Sequence, residues 1–110
     1  MVNEEQSVYT DDYDDGFNKF FEDIKKNPQY DSEVIKKAYD LARDAHKNQR
    51  RRSGEPYIMH PVAVAEILYK LGMDNECIVG ALLHDVVEDT KYDLDYIRQE
   101  FGDEVALLVD

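Results

Sequence analysis

From Phe17 onward the apolar positions recur at steps of three and four, the spacing that puts them on one face of a helix. Phe17, Phe20, Phe21 and Ile24 form the first such stripe, behind Asp14 or Asp15 as a cap, and Asn27-Pro28 ends it. Val34, Ile35, Ala38, Leu41, Ala42 and Ala45 form the second, with Asp31 or Ser32 as N-cap. Residues 47–59 break the pattern, and Gly54 and Pro56 mark a loop. Pro61 then falls where the first turn of a helix tolerates proline. Val64, Ile67, Leu68 and Leu71 predict its apolar face, and Gly72 its stop. A longer helix is predicted from about Asp74 to Asp89. Asp93 caps another, with Leu94, Ile97 and Phe101 inward and Gly102 at its end. Val105, Leu108 and Val109 begin a last one. No segment alternates with the period of a strand. The expected fold is an all-α bundle of five to six helices with short connections.

Composition refines this picture. Of 110 residues, 43% are hydrophobic, with eight Tyr, four Phe and no Trp, enough for a modest core. Small cores are marginal, so an incomplete bundle is expected to lean on a partner surface or on a second copy. Residues 1–14 are acidic with few apolar neighbours and read as a flexible tail, leaving 15–110 as the folded part. No apolar run approaches the roughly 20 residues that span a bilayer. Cys77 is the single cysteine, so an intrachain disulfide is excluded. A cysteine-poor acidic chain without an apolar leader fits the cytoplasm.

The net charge is −12, from 25 acidic and 13 basic side chains. Direct nucleic-acid binding is disfavoured, because it needs a basic footprint. Against that background the run Arg50-Arg51-Arg52 stands out. Guanidinium groups bind phosphate bidentately and stack on flat bases. A three-arginine loop shortly before His60 can therefore bring cations to an anionic ligand. As an isolated feature it reads rather as a solvated run that balances acidic neighbours.

The helix over 74–89 carries the densest chemistry. At about 100° per residue, His84, Glu88, Asp85 and Asp89 fall at about 0°, 40°, 100° and 140°. Val79, Leu82, Leu83, Val86 and Val87 take the opposite sector. An ordinary amphipathic helix also presents such a polar face to water. Yet the earlier turns of this face carry Cys77, Gly80 and Ala81, small residues that suit close packing beside a recessed pocket. Three carboxylates so close repel unless a cation or proton lies among them. His84 and Asp85 could share an ion lying between their directions, with a further ligand from another element. His60, just before Pro61, is the candidate, although a lone histidine there is more often structural. Imidazole with carboxylate suits Mn, Fe or Zn better than Ca. His46, at the edge of the second stripe, reads as structural. Cys77 reads as a small packing residue, and Tyr39, Tyr69 and Tyr96 as packing or surface residues.

Taken together, Arg51-x-Ser53-Gly54-Glu55-Pro56-Tyr57, His60-Pro61 and the run His84-Asp85-Val86-Val87-Glu88-Asp89-Thr90 resemble the N-terminal hydrolase domain of the RelA/SpoT homologues, bacterial enzymes that make and degrade (p)ppGpp. The resemblance runs from about Ala38 to Asp110. It implies an HD-domain helical bundle, of which this chain is the N-terminal part. It implies Mn²⁺ held by His60, His84 and Asp85, with a fourth ligand beyond residue 110. Glu88 and Asp89 would activate the attacking water, and Arg51, Arg52 and Ser53 would contact the guanine nucleotide. The implied reaction removes pyrophosphate from the 3′ position of (p)ppGpp in the stringent response. The parent would be bifunctional, with GTP pyrophosphokinase activity elsewhere, and the isolated 110 residues are expected to be inactive. The alternatives are another HD-family nucleotidase, or a non-catalytic helical module that binds a nucleotide or a protein.

Overall fold

In the computed structural model the described residues are 17–109, apart from the side chain of Asp89. The acidic segment 1–14 and the cap at Asp14 or Asp15 lie outside them. Among the described residues six helices follow one another: α1 over residues 17–25, α2 Ser32–Ala45, α3 Met59–Lys70, α4 Asn75–Asp89, α5 Leu94–Phe101 and α6 Asp103–Val109. Among the described residues the only β-type pairing is an isolated bridge between Arg50 and Pro56. No helix of the described residues is long and apolar enough to cross a membrane.

The helix boundaries follow local chemistry. Asp31 caps α2 by accepting the Val34 N–H, Asp74 caps α4 through the Cys77 N–H, and Asp93 caps α5 through the Tyr96 N–H. Each satisfies one of the amide donors that a helix start leaves without an intrahelical partner. Gly102, at φ 98°, closes α5 in a backbone conformation that costs glycine little. α3 starts at Met59, two residues before Pro61, so the proline still falls in the first turn.

α4 is the central element and packs against α2, α3 and α6. Its Ile78, Val79, Leu82, Leu83 and Val86 are fully buried. Removing one such side chain from water is worth about 1.5–3 kcal/mol, so this face anchors the bundle. Val87, expected on the same face, is only half-buried. α1 contributes Phe17, Phe20 and Ile24, and Phe17 stacks on Tyr39 of α2 with centroids 3.6 Å apart.

α3 differs from expectation. Its buried positions are Pro61 and Ala65, with Val62, Leu68 and Tyr69 packed at the margin. Ile67 and Leu71 are 57% and 70% exposed. They stand about 200° and 240° round the helix from Ala65, so they cannot share its contact with α4. Three tyrosine hydroxyls tie helices and connections together: Tyr30 donates to the Met73 carbonyl at 2.5 Å, Tyr69 to Asp23 at 2.6 Å and Tyr92 to Asp44 at 2.9 Å.

Candidate functional site

A cavity of about 420 Å³ opens between α3, α4 and α6. That volume is in the range of small-molecule sites. α4 supplies Cys77, Gly80 and Ala81 to its wall, as the small-residue face predicted. Leu108 closes the far side, and a Cβ added at Gly80 would meet the Leu108 Cβ at 3.4 Å. His60, His84 and Asp85 line the same cavity, so the fold brings the three candidate ligands together from two helices.

Asp85 is the best-held of them. Its Oδ2 accepts the Tyr57 hydroxyl at 2.6 Å, and its Oδ1 lies 3.0 Å from His84 Nδ1. Its side chain is 16% exposed, against 64% for His84. Burial pushes the Asp85 carboxyl upward. The Tyr57 hydroxyl, the His84 hydrogen bond and charge, and the nearby His60 outweigh that and hold it below its ordinary value. Asp85 is therefore an anion at neutral pH, the form a cation needs.

The donors do not form a closed coordination sphere. Among the described residues, the only group of three whose ligand atoms all lie within 4.8 Å of one another is Asp74, Glu76 and Glu104. That group joins the start of α4 to α6, and exposed acidic clusters are common without a metal. No sequence pattern announces it, because Glu104 belongs to another helix. His60, His84 and Asp85 have the right chemistry for a divalent ion, with two imidazoles and one carboxylate, at a wider spacing.

Glu88, Arg51, Arg52 and Ser53 stand apart from the cavity wall. Glu88 is exposed on α4, one turn past His84, and the Asp89 side chain lies outside the described residues. The basic segment folds into a tight turn. Arg51 N–H donates to the Glu55 carbonyl at 2.9 Å, Gly54 N–H donates to the Arg51 carbonyl at 2.8 Å, and Gly54 has φ 99°. Arg50 braces this turn by donating to the Gly54 carbonyl at 2.9 Å. Arg51, Arg52 and Ser53 are exposed on its outer side. Ser53 Oγ donates to Glu55 Oε1 at 2.8 Å, and Arg51 Nε lies 3.9 Å from the same oxygen.

His46 is structural in position, being 1% exposed with Nδ1 2.9 Å from Gln49 Oε1. Its Nε2 has no hydrogen-bond partner among the described residues. Tyr57 was visible only as part of the loop motif. Its contact with Asp85 spans 28 residues, a distance that helical periodicity does not report.

The family model for the HD domain matches residues 38–110. The chain belongs to the HD-domain family, an all-helical class whose membership implies a divalent metal. Among curated relatives, it is 57% identical over 70 residues to a guanosine-3′,5′-bis(diphosphate) 3′-pyrophosphohydrolase of Haemophilus influenzae, covering 64% of this chain and 10% of the relative. It is 51% identical over 83 residues to the bifunctional (p)ppGpp synthase/hydrolase SpoT of Escherichia coli, covering 76% and 12%. It is 53% identical over 83 residues to a probable GTP pyrophosphokinase of Mycobacterium leprae, covering 76% and 10%. The chain thus spans about a tenth of the length of these relatives.

Proposed function

We propose that this chain carries the metal-binding face of a (p)ppGpp 3′-pyrophosphohydrolase, in a cytoplasmic protein of the stringent response. The observation that carries the reading is the convergence of His60, His84 and Asp85 on one cavity, in a chain whose relatives bear that activity in their names. These three residues would hold the divalent ion, read as Mn²⁺. When bound, such an ion supplies positive charge and Lewis acidity to a phosphate ester.

The chain's own residues do the rest. Glu88 or Asp89 accepts a proton from the attacking water. The water oxygen bonds to the phosphorus carried by the ribose 3′ oxygen, the bond between that oxygen and phosphorus breaks, and the 3′ hydroxyl takes up a proton. Pyrophosphate leaves, giving GDP from ppGpp or GTP from pppGpp. Arg51 and Arg52 offset the charge of the nucleotide, and Ser53 donates to it. Any GTP pyrophosphokinase activity would belong to other parts of the protein.

The test is a pair of measurements on the protein at its full natural length. Calorimetric titration with Mn²⁺ should show a site that His84→Ala loses. Chromatography should show ppGpp converted to GDP and pyrophosphate when Mn²⁺ is present. No conversion by protein with all the motifs intact would sink the proposal.

A second reading is a non-catalytic nucleotide-binding module. The wide spacing of the three donors and the position of Arg51, Arg52, Ser53 and Glu88 off the cavity wall favour it for the 110 residues alone. Under that reading the isolated chain binds Mn²⁺ weakly and releases no pyrophosphate. Turnover by the isolated chain would exclude it.

A further inference from the structure

Tyr57 touches both halves of the candidate site. Its hydroxyl donates to Asp85 of α4 at 2.6 Å, and its ring meets the ring of His60 of α3 edge-on, centroids 6.0 Å apart. The backbone around it is pinned as well. Tyr57 N–H donates to the Gln49 carbonyl at 2.9 Å, and the Tyr57 carbonyl accepts the His60 N–H at 3.0 Å. Behind it lies His46, buried and 4.7 Å away between ring centroids. The His46 ring is in turn fixed by Gln49, 2.9 Å from its Nδ1. Gln49 thus holds the Tyr57 backbone with its carbonyl and the His46 ring with its side chain.

This arrangement fixes the direction of the Asp85 carboxylate. One oxygen is taken by Tyr57 and the other by His84 Nδ1. A carboxylate oxygen has two acceptor directions, so each keeps one for a cation. His84, engaged through Nδ1, is left with Nε2 to coordinate. Hydrogen bonds of this kind orient metal-binding side chains, and losing one costs roughly 10- to 100-fold in affinity or activity.

We infer that Tyr57, backed by His46, is a positioning residue that sets Asp85 and His60 in register for a divalent cation. The inference rests on the proposed function, because it takes Asp85 and His60 as ligands.

The test uses full-length protein with Tyr57→Phe, which keeps the ring and removes only the hydroxyl. Free Mn²⁺, followed by its paramagnetic resonance, should show affinity weakened about 10-fold or more. In metal-free protein, the Asp85 carboxyl and His60 ring resonances should both shift. With ppGpp, kcat should fall while KM stays near the wild-type value, since the arginine turn is untouched. His46→Leu, which removes the support behind the ring, should act in the same direction more weakly, and it keeps the test decisive if Tyr57→Phe folds poorly. Tyr96→Phe on α5 serves as the control. Wild-type binding with Mn²⁺ affinity and resonances unchanged in Tyr57→Phe and His46→Leu would overturn the positioning role alone. Wild-type protein that neither bound Mn²⁺ nor hydrolysed ppGpp would overturn the proposed function, and the positioning role with it.

Discussion

The hydroxyl of Tyr92 donates to the Asp44 carboxylate at 2.9 Å, joining the connection before α5 to the end of α2 across 48 residues. The bond holds the Asp44 carboxyl below its ordinary value, with help from Lys47, and the Asp44 carboxylate pushes the Tyr92 phenol up. The two shifts bound a pH window. For Asp44 the stabilisation is complete above about pH 4, the unfolded carboxylate value, and is lost as pH falls through the lower folded value. For Tyr92 it is complete below about pH 10 and is lost as pH rises through the higher folded value. Tyr92→Phe should flatten both edges of this dependence. Urea midpoints measured from pH 2 to 11 check this, and a variant whose curve parallels wild type at both ends would refute it.

Leu82 lies at the centre of the buried face of α4 with no exposure. Leu82→Ala should cost about 2–5 kcal/mol, through lost burial and the cavity left behind. Domains of this size are stable by about 5–15 kcal/mol, so the variant should unfold at much lower denaturant. A shift of the chemical midpoint too small to account for 1 kcal/mol would mean that the α4 face can collapse around the gap.

Gly80 is helical and faces the cavity. An alanine there would place its Cβ 3.4 Å from the Leu108 Cβ, an ordinary contact. Gly80→Ala should therefore stabilise by about 0.5–1 kcal/mol, because alanine loses less backbone freedom in a helix. Gly80→Leu should instead push into Leu108 and the cavity, lowering both the melting temperature and ligand uptake. Thermal unfolding of the two variants separates these outcomes.

Glu55 holds Ser53 and sits beside Arg51 at the tip of the basic turn. An anionic nucleotide reaching these residues meets that carboxylate. Under the proposed function, Glu55→Gln should tighten ppGpp binding about two- to fivefold, a surface-charge effect of about 0.5–1 kcal/mol that fades with added salt. Nucleotide affinity measured at low and high ionic strength reads it directly. Weaker binding in the variant would show that Glu55 chiefly organises the turn.

Local signals were the legible ones. Asp31, Asp93 and Gly102 act as expected because a cap is decided within three or four residues. The small-residue stretch Cys77, Gly80 and Ala81 announced the cavity wall, since short side chains on a polar helix face leave room beside it. Ile67 and Leu71 misled, because apolar spacing marks a helix without choosing which face its neighbours cover. The Tyr57–Asp85 and Tyr92–Asp44 contacts join positions 28 and 48 apart, and one-dimensional periodicity has no access to such pairs. The acidic group of Asp74, Glu76 and Glu104 was hidden for the same reason.

α4 has little idle surface. One side is core, the next is the small-residue wall, and the third carries His84 and Asp85. A random substitution in this helix therefore lands on packing, on cavity shape or on the acid–imidazole pair. α5, with Asp95, Tyr96, Arg98, Gln99 and Glu100 turned to solvent, is free to drift. Mutational tolerance should thus differ sharply between two helices only a few residues apart, and a saturation library scored for folding would show α4 as an island of intolerance beside a permissive neighbour.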